Sequence, residues 1–337
     1  MFKPTVSSLL ILALFCAACT KEDENITEFD GLFNRTAEPV FESSFGLAAD
    51  PSVLMLRDTL FMYFTAEGGI AVVYSLDNGK SWMNPSNNIT DDYLALKKRS
   101  SAWDNTLETP EVVKVDNLFY MYYTGYREGE SDNEHVQNYE IGLATSQNGF
   151  DFDRISSSED GPIINRNITD PSAFDHHAIT SPGVIFEEGL FYMVYAGWNV
   201  SQNWTATNAG IRILGATSSD GKIWTKIKKP LLTSEDITYS PDVNEASLLK
   251  SKEDGYWLIP FSTDRSIGIA RSKSFFGKFE VYPQAIIKPQ FYWDSEVTAP
   301  DGIFQNGQLR LWFHGVKEPN YWPWVIGYAE QSYPFSW

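Results

Sequence analysis

TPEVVKVDNLFYMYYTGYREG, from Thr109 to Gly129, is the stretch on which the fold turns. A small residue before Pro110 opens it. An apolar segment then leads to Val115-Asp116-Asn117, which carries the Asp and Asn that tight hairpins use for positive φ angles. The return segment, Leu118-Phe-Tyr-Met-Tyr-Tyr-Thr124, is apolar or aromatic at nearly every position. Such a strand has no solvent face, so both sides of its sheet are covered by neighbours.

The cassette recurs as ADPSVLMLRDTLFMYFTAEGG from Ala49, SPGVIFEEGLFYMVYAGWN from Ser181, NEASLLKSKEDGYWLIPFST from Asn244 and APDGIFQNGQLRLWFHG from Ala299. Starts fall about 55 to 72 residues apart, the spacing of a repeat architecture. Each unit is a small antiparallel sheet that cannot bury both faces alone. Five of them predict an all-β fold, a five-bladed β-propeller with a central axial pocket. Composition agrees: of 337 residues, 15% are aromatic, a surplus that suits half-buried strands.

The cassette ends repeat as well, as VVYSLDNGKSW from Val72 and ILGATSSDGKIW from Ile213. Ser75-Leu-Asp-Asn-Gly-Lys-Ser-Trp82 resembles the Asp-box turn of sialidases and other propellers. The resemblance makes Asp77, Asp220, Trp82 and Trp224 structural.

Residues 1–18 read as a targeting segment: Lys3, an apolar run from Val6 to Phe15 too short to span a bilayer, and the small-residue box Cys16-Ala17-Ala18-Cys19. It resembles the bacterial lipoprotein signal, in which cleavage precedes the Cys equivalent to Cys19 and lipid is attached there. Residues 19–38, acidic and without strand pattern, are then a flexible tether, and 39–337 the propeller. The expected location is the outer membrane, held by the lipid on Cys19, with the domain facing either the cell surface or the periplasm. Lys21-Glu22-Asp23-Glu24 resembles the acidic tag that exports lipoproteins to the outer face.

A formal charge of −18 argues against nucleic acid as a partner, because phosphate backbones are bound by basic patches. Chemistry is expected at the start of each first strand, which lines the axis. Aligned there are Asp50, Thr109, Ser181, Glu245 and Ala299. Two of the five are acids, costly to bury without a role or a partner.

The DPSVL of the first cassette, the Glu of NEASLL in the fourth and the Ser-x-Asp-Gly-x-x-Trp blade ends resemble the five-bladed propeller glycoside hydrolases, families 43, 62, 32, 68, 117 and 130, and family 43 most in pattern. The resemblance covers about residues 40 to 337. It implies glycoside hydrolysis of plant or algal oligosaccharides, with Asp50 as general base and Glu245 as general acid, and favours inversion. A family 32-like site would instead retain configuration, with Asp50 as nucleophile; a family 130-like enzyme would be phosphorolytic; a non-catalytic glycan-binding lipoprotein is the reading from another class.

In family 43 a third-blade Asp orients and tunes the acid, and this sequence has Ser181 there. Asp175 and Glu111 are the foremost replacements, with Glu108 and Asp301 as alternatives. Strand alternation puts Glu111 and Asp301 on the face of Asp50 and Glu245. Of the adjacent pair His176 and His177, at most one points inward. His314 is placed near the axis, where some relatives hold a His as an acid or beside an ion. Sugar stacking is expected from some of Trp103, Trp198, Trp204, Trp293, Trp322 and Trp324. No metal-ligand spacing or Gly-rich phosphate loop appears, so no cofactor is expected, a structural or axial calcium ion excepted.

Overall fold

The computed structural model describes residues 31–86, 91–131, 136–155, 157, 161–200, 210–316 and 322–337. Five antiparallel sheets follow one another, each running from the axis outward. Blade 1 comprises Ala49–Leu56, Thr59–Ala66, Gly69–Ser75 and Leu94–Lys97; blade 2 comprises Thr106–Val115, Leu118–Tyr126, Glu140–Ser146 and Asp153–Arg154. Blade 3 comprises Ala178–Glu187, Leu190–Trp198, Ile211–Ser218 and Thr225–Lys226. In blade 4 the first strand is split into Asn244–Ala246 and Leu249–Lys250, followed by Trp257–Ser262, Ile267–Ser272 and Glu280–Val281. Blade 5 comprises Glu296–Gln305, Gln308–Val316 and Trp324–Ser332, and its outer strand is Asn34–Arg35 from the start of the described chain.

The last pairing closes the ring non-covalently, and it corrects the expected tether. Residues 34–35 belong to the fold. Arg35 makes an ion pair with buried Asp294 and lies 5.0 to 5.3 Å from the rings of Phe291, Trp293 and Phe313. Trp293 is thereby packing, not a sugar platform.

Each junction between blades has its own apolar core. Phe61, Tyr63 and Val72 meet Val112, Phe119 and Met121 between blades 1 and 2. Val194, Ala196 and Ile213 meet Ala246, Leu248 and Ile259 between blades 3 and 4. This is why the second strands carry no polar face. The Asp-box turns knit the periphery: Asp77 accepts from the Lys80 and Ser81 amides, and Asp220 from those of Lys222 and Ile223. Trp224 packs edge-on against Tyr122 of the preceding blade.

Candidate active site

Every first strand is bulged at the same place. The register between first and second strands slips after Ala49, Glu108, Thr180, Asn244 and Thr298. The extra residue at each slip is Asp50, Thr109, Ser181, Glu245 or Ala299, with φ of 51, 47, 54, 35 and 49° respectively. None is glycine, so each holds backbone strain of roughly 1–3 kcal/mol that the surrounding structure must enforce. A bulge re-aims a side chain. Here it turns all five toward one narrow axial cavity.

A belt of side chains on the second strands supports these bulges. Opposite the five slips stand Thr65, Thr124, Ala196, Ser262 and His314. Thr65 Oγ1 donates to Asp50 Oδ2 at 2.7 Å and accepts from the Thr109 amide at 2.9 Å, so one hydroxyl orients an acid and ties blade 1 to blade 2. Thr124 hydrogen-bonds Thr109 Oγ1 and accepts from the Ser181 amide at 3.0 Å. Ser262 donates to Glu245 Oε2 at 3.2 Å and accepts from the Ala299 amide at 2.7 Å. His314 Nδ1 accepts from the Asp50 amide at 3.0 Å. Only blade 3 has no polar side chain here, because position 196 is alanine.

Asp50 and Glu245 lie on blades 1 and 4, which are not neighbours, and so face each other across the axis. Burial, then the Asp50 charge, raises the Glu245 carboxyl above the ordinary carboxylate range, against hydrogen bonds from Thr298 and Ser262 and the influence of His314. Burial pulls the His314 imidazole down, but Asp50, Glu245 and Glu296 outweigh it and the ring sits above its ordinary value. Glu108, one residue before the blade 2 bulge, is pushed up to about 8 by burial and by the charges of Asp50 and Glu245. Glu108 is therefore near enough to feel the charges of both acids. Tyr126, raised to about 12 by burial and then by Glu108, packs edge-on against Tyr139 on the same side. A second cavity, of about 220 Å³, is lined by Glu245, His314 and Trp324 together with Asp242, Arg265 and Glu296.

Glu111 and Asp301 line the axis too, but they serve a lower layer. The Glu111 carboxyl accepts from Ser52 and from the Val184 amide, and burial followed by the Asp301 charge raises it well above its usual range. Asp301 accepts from Ser247 and, at 2.6 Å, from the Val53 amide; burial raises it to about 6. Both are committed to linking blades. Among the described residues no three His, Cys, Asp or Glu side chains converge as metal ligands do, and His314 Nδ1 accepts the Asp50 amide.

The remaining sequence candidates are dispersed. Asp175 does not line the axial cavity: its carboxylate pairs at 2.5 Å with Lys226 of the outermost strand of blade 3. His176 Nδ1 meets the Asn167 carbonyl at 3.0 Å and His177 Nδ1 accepts from the Val200 amide at 3.3 Å, so both rings hold loops. Trp103 stacks on Tyr123, and Trp198 Nε1 donates to Thr180 Oγ1 at 3.3 Å. Ser181 keeps its place on the axis. Cys19 and Trp204 lie outside the described residues.

Sequence reading missed Thr65, Ser262 and Thr298, the hydroxyls that hold the two acids. A signal existed for the first two, since the second strands read FTA, YTG, YAG, FST and FHG at equivalent positions. Only the bulge shows why those positions matter.

No protein-family model matches the chain. A thermostable family-43 glycoside hydrolase superposes with a TM-score of 0.61 at 18% identity, covering 86% of this chain and 90% of that one. The chain shares the five-bladed fold of these hydrolases. An endo-arabinase from Bacteroides thetaiotaomicron gives 0.60 at 14% identity, covering 86% and 96%. A β-xylosidase/α-arabinofuranosidase from a compost metagenome gives 0.61 at 15%, covering 89% and 95%. In sequence, a 1,2-β-oligomannan phosphorylase from Thermoanaerobacter sp. (strain X514) is 24% identical over 210 residues, 60% of this chain, and the chain spans 60% of the length of that relative.

Proposed function

We propose that this protein is a glycoside hydrolase acting on neutral plant or algal oligosaccharides, with Glu245 as general acid and Asp50 as general base. The observation that carries it is the pairing of these two carboxyls at equivalent bulges across one axis, one raised by burial and the other held between Thr65 and His314. Glycosidic cleavage needs a protonated carboxyl at the leaving oxygen and an ionised one opposite it. The resemblance to family 43 favours inversion, which requires the two carboxyls to stand roughly 6.5–9.5 Å apart with a water between them. We assign Glu108 of blade 2, whose carboxyl feels both Asp50 and Glu245, to the third position that family 43 fills from blade 3.

Glu245→Gln and Asp50→Asn are each expected to lower kcat by about 10²–10⁴-fold on neutral arabino-, xylo- or manno-oligosaccharides, with the anomer of the product read by NMR. Full activity in both variants overturns the assignment.

The likeness to an oligomannan phosphorylase supports phosphorolysis as a second reading. Against it, among the described residues Arg265 is the one Lys or Arg lining the cavity beside Glu245, amid Asp242, Asp264 and Glu296. Turnover that depends on added phosphate decides between the two. We place the protein at the outer membrane through lipid on Cys19, which radiolabelled palmitate incorporation and its loss in Cys19→Ser test.

A further inference from the structure

Trp324 forms one wall of the cavity beside Glu245, with its ring 4.8 Å from that of His314. Two further aromatic residues, Trp322 and Phe45, belong to the segments tied to it. The Trp324 amide donates to the Gly46 carbonyl at 2.8 Å, and the Ala48 amide donates back to the Trp324 carbonyl at 3.1 Å, so the segments around 46 and 324 are one unit. Trp322 lies over Gly46 so closely that a Cβ there would sit 2.8 Å from the indole. Phe45, the next residue, is held by a turn in which its amide donates to Ser43 Oγ, itself bonded to Asp92 at 2.6 Å. Trp322 is 51% exposed and Phe45 48%, although large aromatic side chains are ordinarily buried.

We propose that Phe45 and Trp322 form a stacking subsite for a neutral sugar unit of a bound glycan chain, outside the cavity that holds the cleaved bond. The inference rests on the hydrolase reading for its direction, since Trp322 stands two residues from Trp324, which lines the cavity containing Glu245 and His314. Exposed ring faces match the apolar face of a pyranose. The acidic lining from Asp242, Asp264 and Glu296 selects a neutral chain over a uronate.

The test is calorimetric titration of the Glu245→Gln protein with neutral arabino-, xylo- and manno-oligosaccharides of two to six units, and with oligogalacturonates as the anionic control. Trp322→Ala and Phe45→Ala are each expected to weaken binding of the longest neutral oligosaccharide bound by about tenfold, with Trp322→Phe retaining most of the affinity; both side chains are exposed, and circular dichroism checks the fold. Affinities equal to the parent, binding of no neutral oligosaccharide, or a preference for oligogalacturonates overturns the subsite. If the wild type cleaves glycans while the variants bind as the parent does, the subsite falls and the hydrolase stands. If the variants lose binding while the wild type cleaves nothing, the subsite stands and the hydrolase falls.

Discussion

The Asp50 amide donates to His314 Nδ1 at 3.0 Å, and Asp50 Oδ1 lies 3.3 Å from the same nitrogen. A neutral ring accepts from the amide; a protonated ring donates to the carboxylate instead. One side chain of blade 5 therefore serves both the backbone and the acid of blade 1. His314→Ala is expected to lose roughly 1–3 kcal/mol in denaturant unfolding, because it strands a buried amide. His314→Ser, which imitates Ser262 at the equivalent position, is expected to recover part of that loss. Equal stability of the two variants contradicts the link.

Thr65 and Thr124 make the same cross-blade bond, but only Thr65 also donates to a candidate catalytic group. Thr65→Val and Thr124→Val are expected to cost similar stability, about 1–3 kcal/mol each. Their kinetics are expected to diverge, with kcat falling at least tenfold more in Thr65→Val. Parallel losses of kcat contradict a role for Thr65 in holding Asp50.

The blade count and the axial position of Asp50 and Glu245 were legible because a repeat exposes its own exceptions. Alternation also placed Glu111 and Asp301 on the axial face, yet not their depth: the inserted residue shifts register, so residues two positions on join a second layer of interblade bonds. Glu108 was underrated for the same reason, since a regular strand points it away from the axis. Asp175 failed differently. Whether a loop acid reaches the axis depends on where Lys226 stands, and the sequence separation of 51 hides that pairing.

Glu108 stands at about 8 in the fold against an ordinary 4.5. Between those values the native chain keeps a proton that the unfolded chain has released, so this group's contribution favours the fold less as pH rises from about 4.5 through 8. Glu108→Gln is expected to gain in melting temperature over the wild type at pH 8.5 relative to pH 4.5. A melting difference independent of pH contradicts the placement of Glu108 against Asp50 and Glu245.

The two interblade belts fail at one shared junction. Above, position 196 is alanine and offers nothing to the Glu245 amide. Below, Ser52, Glu111, Ser247 and Asp301 each bond across to the next blade, to the Val112 amide at 3.0 Å, the Val184 amide, the Asp301 carboxylate and the Val53 amide at 2.6 Å. The equivalent residue of blade 3 is Gly183, whose added Cβ would meet the Ala246 carbonyl at 2.7 Å and the Leu248 amide at 3.1 Å. Blade 4 has moved into the space a side chain occupies elsewhere, so apolar packing and close backbone contact replace directional bonds at the seam beside Glu245. Gly183→Ala is therefore expected to destabilise by roughly 1–3 kcal/mol through overpacking and to displace Glu245, lowering kcat. Ala196→Ser supplies the missing hydroxyl and is expected to stabilise by about 1 kcal/mol. Denaturant unfolding measures both, and a stable, fully active Gly183→Ala protein contradicts the close approach.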